Sequence, residues 1–169
     1  DAAKMISSRI LAISRAHNVL TAENWEKADL GTVIGSVLAL FQDSDRNAVS
    51  MEGPALQIGP HAAMSIALAV HELAANATRY GALSAARGRV SVMWSLEACD
   101  AFVLSWSEQG GPPVHPAPEQ GFGSRLLECI LPRELQGSAV IDFHPNGVIF
   151  TLTSTHAAMR EEPALDEMA

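Results

Sequence analysis

The sequence predicts an α+β fold, and two kinds of apolar spacing predict it. Between residues 60 and 80, Ile66, Val70, Leu73, Ala77 and Tyr80 recur at intervals of three and four, the period of a helix with one buried stripe. Over 89–96, 101–108, 139–143 and 148–152 the apolar residues alternate instead, as they do in strands with one face on a core. A striped helix and a one-faced strand each need a partner to cover the apolar side, so helices should lie on a sheet.

The elements follow in chain order. Residues 1 to 20 place Met5, Ile6, Ile10, Ile13, His17 and Leu20 at mostly three-to-four spacing, with Arg9 and Arg15 elsewhere, which describes an amphipathic helix. Thr21 to Asp29 is polar and turn-like with Trp25 as an apolar plug, and Asp29 can cap a helix over 30–41 whose Val33, Val37, Leu40 and Phe41 face a core. Asp43 to Asn47 is a loop by composition. Val49 and Met51, then Leu56 and Ile58, read as a short hairpin turned by Gly53-Pro54 at a sheet edge. Gly59 and Pro60 open the central helix, and Gly81 ends it as a residue able to turn left-handed.

The strands at 89–96 and 101–108 are joined by a short turn at Cys99 and Asp100, so they should pair antiparallel. Four prolines between 112 and 120 forbid a ladder and predict an irregular cover. Gly121-Phe122-Gly123-Ser124-Arg125 then opens a helix over 123–131, carrying Leu126, Leu127, Ile130 and Leu131 and interrupted by Pro132 and Gly137. Ala139, Ile141 and Phe143 lead through Pro145-Asn146-Gly147 into Val148, Phe150 and Leu152, a hairpin. The stretch 157–169 is acidic and poor in large apolar groups, and disorder is expected there.

With 169 residues the chain is long enough for one domain with a proper core and a short appendage. A net charge of -8 disfavours a large nucleic-acid footprint, and no apolar run nears the ~20 residues that cross a bilayer, so no membrane contact is expected of this stretch. Cys99 and Cys129 lack the spacing of a disulfide framework or zinc site and read as plain thiols in a reducing cytoplasm. The first residue is an Asp, without initiator Met or signal sequence, and the chain reads as a fragment of something larger.

Chemistry concentrates in HELAANATRYGALS, residues 71–84. Glu72 and Asn76 are four apart and Arg79 follows three later, so carboxylate, amide and cation project from one helix edge. Magnesium takes one or two protein oxygens and fills its other positions with water and phosphate. Asn76 suits that role, Glu72 that of orienting or deprotonating a nucleophile, and Arg79 that of meeting a phosphate. The alternative is a merely solvated polar face. His71 is rotated about 100° from Glu72, roughly opposite Leu73, and is expected off that edge. It reads as a structural contact to a neighbouring loop, with a catalytic or nucleotide contact as the alternative. The second His of a zinc-protease HExxH motif is missing.

HELAANATRYGALS resembles the N box of the GHKL ATPase superfamily, more narrowly that of the HWE group of sensor histidine kinases, named for a His in this box and a downstream Trp-x-Glu. Those residues are His71, Trp106 and Glu108, and with the glycine box GFGSRLLE at 121–128 the resemblance spans roughly 60 to 155. It implies a two-layer α/β sandwich of the Bergerat type, a mixed sheet with helices on one face, binding ATP with Mg2+. Glu72 and His71 become candidate catalytic residues, and Asn76 the magnesium ligand. Nucleotide contacts are implied for Asn76, Arg79, Tyr80, Glu108, Gly110, Gly111, Gly121, Gly123, Ser124 and Arg125, with 112–120 as the ATP lid. Glu108 stands where most GHKL proteins have an Asp that accepts from the adenine amino group; Trp106 reads as a core residue, with a direct nucleotide contact as the alternative.

The resemblance also divides the chain. Residues 1–22 correspond to the end of a dimerisation and phosphoacceptor hairpin, 23–156 to the catalytic ATP-binding domain, and 157–169 to a tail. His17-Asn18-Val19 does not match the acceptor motif. The implied function is transfer of the γ-phosphoryl group of ATP to a histidine outside this stretch and then to a response regulator, in a parent protein that dimerises. A serine kinase that binds a partner protein and a non-enzymatic phosphotransfer scaffold are the alternatives.

Overall fold

The computed structural model describes residues 2–22, 27–41, 48–114 and 122–160. The chain runs α1 (Ala2–Ala22), β1 (Ala28–Asp29), α2 (Leu30–Leu38), β2 (Val49–Glu52), β3 (Gln57–Ile58), α3 (Pro60–Arg79), β4 (Arg89–Leu96) and β5 (Ala101–Gln109). A helical run follows, α4 (Phe122–Arg125), a π-helical stretch (Leu126–Ile130) and α5 (Leu131–Glu134), and then β6 (Ser138–His144), β7 (Gly147–Thr155) and α6 (His156–Arg160). The plug Trp25, the loop 43–47, most of the expected lid, Gly121 and the tail 161–169 lie outside the described residues.

Strand alternation aims one face of the main sheet inward. Its order is β2-β4-β5-β7-β6, with β2 parallel to β4 and every other pair antiparallel, so the sheet is mixed. Val90, Val92 and Trp94 of β4, Phe102, Leu104 and Trp106 of β5, and Phe150 and Leu152 of β7 are buried together. They share one core with Ala12, Ala16 and Leu20 of α1, Val33, Ile34 and Val37 of α2, and Ile66, Val70, Leu73 and Ala77 of α3. The result is the expected α+β sandwich of one helical layer on one sheet. The far face carries Ser91, Met93, Ser105 and Thr153, of which Met93 is 52% exposed, as an antiparallel sheet facing water allows.

Asp29 caps α2 as expected, its Oδ1 accepting from the Thr32 amide at 2.8 Å and the Thr32 hydroxyl at 3.0 Å. The hairpin expected from 49–58 does not form. β2 pairs with β4, and β3 pairs instead with β1 in a separate two-stranded sheet. Gly53-Pro54 sends the two strands to different sheets, held by Trp94, whose indole Nε1 donates to the Pro54 carbonyl at 2.8 Å while its ring lies against Gly53. A side chain at 53 would overlap that ring.

Four other expectations change. On α1 the buried face is Ala12, Ala16 and Leu20, whereas Ile10 is 60% exposed, because close approach of helices favours small side chains that a search for large apolar groups overlooks. Tyr80 does not continue the α3 stripe; it follows the last helical residue with φ -131° and is 72% exposed. Pro132 does not break the helical run, which shifts to a wider π-helical turn before it and continues to Glu134. The expected disordered tail is ordered over its first residues: α6 buries Ala158 and Met159, and Gly59 donates to the Met159 carbonyl at 2.9 Å.

Candidate functional site

The C-terminal half of α3 carries the site, and it has two ends. At the first, Glu72 is 6% exposed, since α1 crosses over it. Arg9 of α1 grips it with both prongs, Nε to Oε1 at 2.6 Å and Nη2 to Oε2 at 3.0 Å. His71 is 2% exposed and meets Phe41 edge to face, with centroids 5.3 Å apart. Its Nδ1 faces Glu72 Oε1 at 3.4 Å. The expectation that His71 stays off the Glu72 edge is therefore corrected: the backbone vectors diverge, but both side chains turn into the same buried space beneath α1 and Phe41. The contact with Phe41, just beyond α2, is of the structural kind. His71 Nε2 has no hydrogen-bond partner among the described residues.

Burial pushes the Glu72 carboxyl upward, but His71, the Arg9 hydrogen bonds and the Arg9 charge outweigh it and hold the carboxyl down at about 2. On its other side lies Gly123. A Cβ built there would stand 2.9 Å from Glu72 Oε2 and 3.8 Å from Asn76 Nδ2, so glycine is what lets the glycine box close on the N box. Ser124 is half-buried, and Asn76, Arg79 and Arg125 are exposed. Gly121 is outside the described residues.

At the second end Glu108, the last inward residue of β5, is 5% exposed. Its Oε2 accepts from the Ala82 amide at 2.8 Å and its Oε1 from the Trp106 indole at 3.2 Å. Burial raises the Glu108 carboxyl above its ordinary range, against the lowering by these two donors. Trp106 is a core residue, 1% exposed, and also holds Glu108 in place through its indole.

The glycines here are spaced for contact. Gly81 lies directly against the Glu108 carboxylate, and a Cβ at Gly111 would stand 2.8 Å from the Ala82 nitrogen. Gly110 has φ +71°, where glycine is at ease. Gly81 itself has φ -114° and ψ -152°, so the left-handed turn expected of it is absent and its reason is room for Glu108.

Glu72, Asn76 and Gly123 thus come together at one end, and Glu108, Gly81, Gly110 and Gly111 at the other. Tyr80, at the C-terminus of α3, is exposed. Two participants escape a reading of the sequence: Arg9, set aside as an off-stripe cation 63 residues from Glu72, and the Ala82 amide, a backbone group without any side-chain signal. Arg9 is findable only as the continuation of the small-residue face Ala12, Ala16, Leu20.

Among the described residues no three or more His, Cys, Asp or Glu stand together as a metal cluster. A single exposed asparagine beside Gly123 is a donor set that would fit a magnesium ion carried in by phosphates, and does not fit a protein-caged metal. No helix among the described residues is long and apolar enough to cross a membrane.

The HWE histidine kinase family model matches residues 1–55. A blue-light-activated histidine kinase of Brucella ovis is 34% identical over 152 residues, 88% of this chain and 31% of that protein. The chain therefore spans about a third of the length of the curated relatives it matches. The histidine kinase domain of an Erythrobacter litoralis blue-light-activated histidine kinase superposes with a TM-score of 0.71 at 18% identity, over 92% of this chain and 78% of that one. The histidine kinase ThkA, solved in complex with the response regulator protein TrrA, superposes with a TM-score of 0.59 at 18% identity, over 80% of this chain and 42% of that one. By relatives and by fold this chain is similar to histidine kinases, and over residues 1–55 to those of the HWE family.

Proposed function

We propose that this chain is the ATP-binding catalytic unit of a two-component sensor kinase, passing the γ-phosphoryl group of ATP to a histidine outside it, from which a response regulator takes it. The observation that carries the proposal is the convergence of Glu72 and Asn76 of α3 with Gly123, and of Glu108 with Gly81 and the Ala82 amide just past the end of the same helix. The first end suits phosphates and metal, and the second a polar base edge.

Asn76 would hold Mg2+ through its amide oxygen, and the ion supplies charge neutralisation on the phosphates when bound. Arg79, Ser124, Arg125 and the amides around Gly121 and Gly123 would contact phosphate oxygens; Gly110 and Gly111 would let the chain pass close to the base. Tyr80 would flank the nucleotide. Glu108 would read the base edge, both directly and by fixing the Ala82 amide. Glu72, with His71 beside it, would orient or deprotonate the accepting imidazole. Transfer between phosphate and imidazole asks the protein for positioning and charge placement.

Residues 1–22 would be the end of the phosphoacceptor hairpin and 23–156 the catalytic part, in a dimeric cytoplasmic parent protein. Calorimetry with ATP and magnesium tests the reading: wild type should bind and Asn76→Asp should bind at least tenfold more weakly, about 1.4 kcal/mol. No binding by wild type would overturn it, and an acid-stable phosphoprotein product would redirect it to a serine kinase.

A further inference from the structure

Arg9, Ala12, Ala16 and Leu20 stand three, four and four apart, and share one face of α1. The three apolar members are fully buried, while Ile10 and Leu11 are 60% and 47% exposed. Two of the three are alanines, with Val19 partly buried beside them, so the described contact that docks α1 is built largely of small side chains. Its polar member is Arg9, gripping both oxygens of Glu72. With Gly123 against Oε2 and His71 Nδ1 facing Oε1, little of that carboxylate is open to an incoming group.

A carboxylate that already accepts from both prongs of a guanidinium is badly placed to accept from an imidazole N–H. Simply withdrawing the arginine would strand a buried charge, so release requires a substitute donor. The accepting imidazole is such a donor.

We propose that Arg9 is a releasable clamp on Glu72: while α1 is docked the carboxylate is held idle, and phosphoryl transfer proceeds when the accepting imidazole replaces Arg9 on it. The proposal rests on the reading of Glu72 as the group that handles the accepting ring. The exchange swaps one donor for another, so a single helix displacement couples acceptor arrival to arming of the site.

The test uses the 169-residue chain with Mg-ATP and a phosphoacceptor helical hairpin supplied in trans. Arg9→Gln is expected to raise the initial transfer rate about threefold or more with the KM for ATP unchanged, and Arg9→Lys, which keeps charge without the fork, to raise it less. Amide exchange, followed without nucleotide, should quicken along α1 and stay unchanged in β5 and β7. Glu72→Gln should abolish transfer with either residue at position 9. Transfer in Arg9→Gln at or below the wild-type rate, with Glu72→Gln inactive, overturns the clamp and leaves the reading of Glu72 standing. Transfer that survives Glu72→Gln overturns that reading and the clamp with it. Should Arg9→Gln fail to fold, Arg9→Lys decides by the same comparison.

Discussion

Replacing Gly81 by Ala should damage this protein through a single collision. The backbone at Gly81, φ -114° and ψ -152°, is open to alanine, so no conformational penalty is involved. The added Cβ would overlap Glu108 Oε2 and lie 3.0 Å from the Ala77 Cα. Glu108 must then move and lose its bonds from the Ala82 amide and the Trp106 indole, each worth about 1.5–3 kcal/mol to a charged acceptor. A loss of about 3–6 kcal/mol follows. At about 2.1 cal/mol/K per residue, 169 residues unfold with roughly 0.35 kcal/mol/K, so Tm should fall by about 9–17 °C. Thermal melts of wild type, Gly81→Ala, Glu108→Ala and the double variant form a cycle in which the double should be less damaged than the sum of the singles. Additive losses, or a Gly81→Ala protein melting within about 2 °C of wild type, would refute the reasoning.

The remaining predictions concern the other parts of the site and its frame. Glu72 has a folded-state carboxyl depressed to about 2, so its contribution to stability is complete above the unfolded value of about 4.5 and is lost as pH falls from there toward 2; about 3 kcal/mol is at stake, seen as acid-sensitive denaturant midpoints that flatten in Glu72→Gln. Glu108 is shifted upward, so its contribution has the opposite sign, present below the unfolded value and lost as pH rises through the folded one; Glu108→Gln should remove that slope in the same titration. Gly123→Ala should push on Glu72 Oε2 and weaken Mg-ATP binding in calorimetry with a far smaller change in Tm than Gly81→Ala. Asp29→Ala removes the cap of α2 and should cost about 1 kcal/mol in urea titrations while leaving nucleotide affinity unchanged.

Periodicity made the long elements legible. The α3 stripe and the alternation of β4, β5 and β7 appear in the structure much as their spacing indicates, because each buries one face against the other layer. The short segments were not legible in the same way. Val49–Glu52 and Gln57–Ile58 have the look of a hairpin, yet local pattern is silent on partner choice, and here β4 and β1 compete successfully for them. In the site, rotation alone grouped Glu72 with Asn76 but misplaced His71, whose side chain turns back toward Glu72. The Arg9 pairing and the Ala82 amide could not be found that way, since each depends on tertiary approach between segments far apart in the chain.

The divergence of β2 and β3 bears on where this protein can be divided. Residues up to 55, those matched by the family model, include β2, which finds its partner at 90–93, and β1, whose partner is 57–58. Expressed by itself, such a piece would offer two bare strand edges and two helices stripped of α3, a recipe for aggregation. The boundary recognisable by kinship therefore runs through the interior of a cooperative folding unit, and a truncation series should show one all-or-none loss of structure with no stable half.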